Sequence, residues 1–233
     1  MKLHTLGAAI AATAAVLVGG TALTAPAQAE TWKFALEEVK GSVQDRYAQK
    51  FKELVEERTD GDVTVQVYPY GTLGTSGDLA ELTVNGTLQF TFASPGHLGT
   101  LVPEMNVFNL PYILSQDNAV NKKVLTEGET VYEELGPDLQ AKGLRLMTMF
   151  PEGDMVWTTK KEVRSPEDFD GVKMRVMTSP ILTTAYESMG ATPTPMPYGE
   201  VYGALQLKQI DAQVNPVFAI EEMKFYEVTD YMI

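Results

Sequence analysis

The sequence predicts an α/β protein built from mixed, mostly parallel sheets with covering helices, and three observations predict it. Residues 32–92 run strand, helix, strand, helix, strand, the rhythm that feeds a parallel sheet. Beyond Met155, short apolar alternations end in Ser179-Pro180 and Asn215-Pro216, pairs that stop a strand and start a helix. At 233 residues with 44% hydrophobic side chains, the chain can bury the core of one large domain or two small ones.

Taken in order, Met1–Ala29 reads as an export signal: Lys2 supplies the positive start, Leu6–Gly20 the apolar run and Ala27-Gln28-Ala29 the small-residue cleavage pattern. The run is short for a bilayer span, so cleavage after Ala29 and a periplasmic chain starting at Glu30 are expected. No second segment is long and apolar enough to span a membrane. The full chain carries 18 basic and 31 acidic side chains, a net charge of −13, and losing Lys2 makes it more negative still. Such a balance repels nucleic acid and anionic lipid. Cysteine is absent, so packing alone holds the exported fold.

Trp32–Leu36 alternates as a first strand and ends at Glu37-Glu38. Ser42, with Asp45 three residues on, caps a helix whose apolar positions Val43, Tyr47, Phe51, Leu54 and Val55 recur until Gly61. Val63–Val67 is the second strand, Tyr70–Gly74 a turn without the lysine of a phosphate loop, Asp78–Asn85 a short helix and Leu88–Phe92 the third strand. Val107–Gly143 reads as mainly helical, and Leu144–Phe150 and Met155–Thr159 as strands. Ser165–Asp168 is a capped turn before the strand holding Arg175, and Ile210–Val214 is a strand closed by Asn215-Pro216, with Pro216 in the first turn of the next helix. Phe225–Val228 approaches a further strand with no partner in view.

Catalytic chemistry is scarce. His97 is the only histidine of the mature chain and cysteine is lacking, so neither a histidine–cysteine zinc site nor a serine–histidine relay can be assembled. Nucleophile-elbow and nucleotide fingerprints are missing as well. No metal, no cofactor and no enzymatic activity are expected, although 31 acidic residues leave a carboxylate-based hydrolase formally open.

The residues suit holding a small molecule instead. Arg175, at a strand end, is either a surface ion pair or a bidentate holder of a carboxylate, to which the Asn215 amide would add a donor. Glu38 is either solvated or the partner of a cationic ligand group. Tyr198 and Phe218 are either core aromatics or faces on which a planar cation rests, and His97 either bonds the same ligand or closes a turn.

Three runs, SPEDFDGVKMRV at Ser165–Val176, GATPTPMPYGEVYGALQ at Gly190–Gln206 and IDAQVNP at Ile210–Pro216, resemble the extracytoplasmic solute-binding proteins of TRAP transporters, the DctP family. LEEVKGSVQDRYAQKF and VYPYGTLGTSGDLAELTVNGTLQF extend the likeness over the amino-terminal half. The resemblance implies a two-domain periplasmic-binding-protein-like fold with the ligand cleft between domains 30–152 and 153–233, the second incomplete. It implies that Arg175 anchors a ligand carboxylate with Asn215 beside it, and that the partners are a small carboxylated solute and the transporter's membrane subunits. A monomer is expected. Glu38, Arg175, Tyr198, Asn215 and Phe218 bring the chain nearest to the ectoine and hydroxyectoine binders, with a 2-oxo acid as the alternative solute. Those binders carry tryptophan at the Tyr198 position and phenylalanine at the His97 position, which implies a more polar pocket here. Sialic-acid members carry a second arginine where this chain has Met155. Family members continue by about a third, returning to the first domain, so the sequence is expected to be a fragment.

Overall fold

The computed structural model describes residues 29–233. The export-signal reading falls outside them except for its last residue. Strand β1 (Glu30–Ala35) pairs in parallel with β2 (Val63–Tyr68) on one side and β3 (Phe90–Thr91) on the other. The pleat sorts the side chains: Phe34 and Leu36 pack with Ala48, Phe51 and Val55 of helix α1 (Val43–Arg58), whereas Ala35 packs with Leu79 and Leu82 of α2 (Ser76–Val84). Ser42 Oγ accepts from the Asp45 N–H at 3.1 Å, and the Asp45 carboxylate reaches back to the Gly41 N–H at 2.8 Å. Gly41, at φ 94°, makes the tight turn that starts α1 directly after Glu37-Glu38 and fixes both carboxylates at the end of β1.

The third strand is shorter than the expected Leu88–Phe92, because the Leu88 N–H is still bonded to Leu82 at the end of α2. The expected helical stretch Val107–Gly143 is broken. After α3 (Pro95–Leu98) come a 3-10 segment, Pro103–Asn109, α4 (Asn118–Lys122), a π-helical turn, Lys123–Glu127, and α5 (Glu129–Ala141). Pro111 has no N–H to continue a helix and Tyr112 stands at φ 62°, in the left-handed region. Leu144–Phe150, expected as a strand, joins no sheet: the Leu144 N–H goes to Leu139, the Met149 N–H to the Tyr132 hydroxyl, and Leu144, Leu146 and Met149 pack on the helical core around Met105 and Leu139. Its alternation satisfies a helical surface.

The second sheet holds β4 (Met155–Thr159), β5 (Lys173–Val176), β6 (Thr192–Pro195), β7 (Ala212–Pro216) and β8 (Tyr231–Met232) in the order β6-β5-β7-β4-β8. Only β4 runs against the others. Helix α6 (Pro180–Glu187) covers Met174, Val176 and Val214, while α7 (Val201–Gln206) and α8 (Val217–Glu222) enclose Ile210, Ile220 and Phe225. Alternation therefore turns Arg175 away from the α6 side. Three sequence expectations shift here. The strand expected over Ile210–Val214 starts two residues later, since the Ile210 N–H still bonds Ala204 at the end of α7, so Asn215 lies inside β7 and Pro216 precedes α8 as its cap. Ser179 occupies the cap position of α6, but its Oγ makes no cap bond and is buried without a partner among the described residues. Phe225–Glu227 forms a 3-10 turn, and the strand after it finds its partner in β4, with Thr158 opposite Met232.

Edge strand β6 is half proline. Thr192 and Met196 donate inward to the carbonyls of Val172 and Val176, and Pro193 and Pro195 take the alternate positions.

Candidate functional site

The carboxyl ends of β1, β5 and β7 and the start of α8 converge on a cleft of about 450 Å³, part of it open to solvent. All six residues singled out from the sequence line it: Glu38, His97, Arg175, Tyr198, Asn215 and Phe218. This is where ligands collect in open α/β sheets, beyond the strand carboxyl ends.

Arg175 is 1% exposed and forms no ion pair with a carboxylate among the described residues. Its Nε and Nη2 donate to the Met196 carbonyl at 3.2 and 3.0 Å, and Nη1 is buried without an acceptor among the described residues. Burial pulls the guanidinium from its ordinary value of 12.5 down to about 10. Opposite it in the ladder stands Gln213, which donates to Thr158 Oγ1 at 2.9 Å and accepts from Asn215 Nδ2. This relay orients Asn215 and leaves its second N–H unused.

The amino-terminal wall is acidic. Glu38, 6% exposed, accepts from the Gln44 N–H at 3.1 Å, and its carboxyl is pushed from 4.5 to about 7 by burial first and by the charge of Glu152 second. Glu37 accepts from the Ser94 N–H at 2.7 Å and from His97 Nδ1 at 2.9 Å, so His97 faces the cleft with its ring already oriented. Sequence reasoning treated Glu37 only as Glu38's neighbour. It did not reach Gln44, Glu152 or Tyr70, whose roles depend on contacts between distant segments.

Tyr198 sets its ring 5.6 Å from Tyr70 at 81° and donates its hydroxyl to the Ala219 carbonyl at 3.2 Å. Burial holds that hydroxyl well above the usual phenol range. Tyr70, from the turn after β2, accepts from the Gly199 N–H at 3.0 Å and so ties the two sheets together. A Cβ on Gly199 would lie 3.0 Å from the Tyr70 ring, so a larger residue there would make the ring give by a few tenths of an ångström. Among the described residues no group of three or more histidine, cysteine or acidic side chains is placed to hold a metal ion, and no helix is long and apolar enough to cross a membrane.

Comparison with known proteins places this geometry. The profile described as bacterial extracellular solute-binding protein, family 7 (DctP), matches residues 34–233. The chain belongs to this family. Among its DctP relatives, an ectoine/5-hydroxyectoine-binding periplasmic protein of Ruegeria pomeroyi is 47% identical over 96% of this chain and 64% of its own length. An ectoine-binding periplasmic protein of Halomonas elongata is 46% identical over 89% of this chain and 60% of its own. The solved structure of the periplasmic ectoine-binding protein from a TRAP transporter of Halomonas elongata superposes with a TM-score of 0.81 at 44% identity, over 87% of this chain and 65% of that one. The chain thus spans less than two thirds of the length of these DctP relatives. The α/β architecture read from the sequence is that of the family.

Proposed function

We propose that this DctP chain captures a small carboxylated, zwitterionic solute of the ectoine kind and delivers it to the membrane subunits of a TRAP transporter in the periplasm. The observation that carries the reading is Arg175: a buried guanidinium in the cleft wall with Nη1 lacking an acceptor, facing an acidic wall around Glu38. A solute with a carboxylate at one end and a delocalised cation at the other meets both sides, each pair strengthened once water is excluded. Tyr198 and Phe218 would flank its ring, and Asn215 and His97 would add polar contacts. The acidic wall disfavours a dicarboxylate, and binding rather than turnover is the role of these residues. In this reading each sheet is the centre of one domain, the division falls at Glu152-Gly153, and cleavage after Ala29 frees the chain. A chain delivering solute this way works as a monomer.

Thermal melting of the mature chain with ectoine, hydroxyectoine, 2-oxo acids and dicarboxylates tests the reading. A ligand at about a thousand times its Kd stabilises the fold by roughly 4 kcal/mol. A shift with the zwitterions alone supports the proposal, and a shift confined to dicarboxylates sinks it.

Gly199→Ala is expected to loosen the Tyr70 contact that spans the cleft. Loss of one hydrogen bond of about 1 kcal/mol makes the bound solute leave about fivefold faster. Stopped-flow release measures this, and an unchanged rate would show that the contact does not restrain the bound state.

A further inference from the structure

Gln44 links two carboxylates that lie far apart in the sequence. Its backbone N–H donates to Glu38 Oε2 at 3.1 Å and its Nε2 to Glu152 Oε1 at 3.0 Å, a bond joining residues 108 positions apart. Its own Oε1 accepts from the Glu37 N–H at 2.9 Å, so the side-chain amide is fixed at both ends, and Gln44 holds Glu38 through its backbone and Glu152 through its side chain against one cleft. We propose that Glu152 is a second cation-recognising carboxylate of the cleft, sharing a single proton with Glu38 in the empty protein and surrendering it to solvent when the cationic end of a ligand enters. The pair then selects for a cation with two diverging N–H donors, such as an amidinium, over a neutral polar group. This rests on the proposed function for the nature of the ligand.

Charge in the cleft drives the exchange. The groups facing the pair are Glu37 beside it, Asp45 and Arg46 on α1, Tyr70 after β2, His97 on α3, Arg175 on β5, Tyr198 before α7 and Glu222 on α8. His97 is bound to Glu37, and Arg175 donates Nε and Nη2 to the Met196 carbonyl, so among the described residues no protein cation bonds Glu38 or Glu152. Two carboxylates held on one residue, Glu38 by its backbone N–H and Glu152 by its side chain, do not both ionise easily, and both are shifted upward, burial being the first cause for each. An entering amidinium supplies the missing positive charge. The proton leaves to the buffer and no other bond changes.

Calorimetric titration with ectoine, run in two buffers of different ionisation enthalpy between pH 6 and pH 8, counts the protons. Release of about one proton per ligand near pH 6, falling towards none near pH 8, is expected. Glu152→Gln should lower the count while binding persists with lower affinity. His97→Asn, whatever it does to affinity, should leave the count unchanged. Proton-free binding of ectoine at pH 6 would overturn the proposal, as would a count that His97→Asn abolishes.

Carbon-13 NMR of glutamate side-chain carboxyls in the empty protein tests the pair with no ligand at all. One carboxyl should titrate near neutrality and return towards the ordinary range in Glu152→Gln. If no carboxyl titrates there, the pair is refuted whether or not ectoine binds. If ectoine fails to bind and the pair is nonetheless present, only the assignment of the solute falls.

Discussion

Replacing Arg175 with methionine is expected to raise the melting temperature of the empty protein and abolish its binding of a carboxylated solute. The two effects share one cause. The guanidinium is 1% exposed and, among the described residues, its only acceptor is the Met196 carbonyl and no carboxylate pairs with it, so the fold carries a desolvated charge there. The fall of its pKa from 12.5 to about 10 corresponds to about 3 kcal/mol of disfavoured charge. Methionine of similar reach removes that cost, and the Met196 carbonyl loses its donors at about 1 kcal/mol. The net gain of roughly 2 kcal/mol appears as a rise of about 4–8 °C. Binding moves the other way: removing the one partner of the solute carboxylate costs about 3 kcal/mol or more, at least a hundredfold in Kd. Arg175→Lys should keep the burial cost yet lose the paired geometry, melting near the parent and binding weakly. Arg175→Met that melts lower, or that binds the solute like the parent, would refute this account.

Stability should fall as the pH rises through the window set by Glu38. Its carboxyl titrates at about 7 in the folded protein against 4.5 when free, so between those values the folded state holds a proton that the unfolded chain has lost. The folded state is therefore favoured at the acid end, and about 3 kcal/mol disappears between pH 4.5 and pH 7, with a plateau above. Asp78, Glu167 and Asp168 have pKa values lowered by hydrogen bonds at helix starts, so they act in the opposite sense below the ordinary carboxylate range, in a separate window. Urea denaturation at pH 5 and pH 7.5 reads the difference, and Glu38→Gln should erase most of it. An equal slope in that variant would place the titrating group elsewhere.

Local chemistry was legible in the chain wherever a pattern repeats within a few residues. The Ser42–Asp45 cap, the Phe34–Leu36 alternation and the pleat that separates Arg175 from Met174 and Val176 are all written in near neighbours. Six cleft residues were nameable because Glu38, His97, Tyr198 and Phe218 follow a strand end or a proline, and Arg175 and Asn215 sit near the ends of short strands. Glu152 was not: it stands in an irregular segment, and its meaning comes from Gln44 on a helix in the other half of the chain. Tyr70 was hidden for the same reason, since its partner Gly199 is 129 positions away. Leu144–Phe150 shows the converse error, in which alternation suits a strand but the neighbouring surface is helical and pairs none of its backbone into a sheet.

The prolines of β6 bear on how the protein behaves when many copies are crowded together. Thr192 and Met196 spend their N–H groups inward, and Pro193 and Pro195, which would face outward, have none to give. A second copy arriving alongside that edge meets carbonyls without donors, and half of the hydrogen bonds needed to continue the sheet cannot form. The chain is thereby protected against strand-by-strand self-assembly on that flank, a safeguard written in two side chains that touch no ligand.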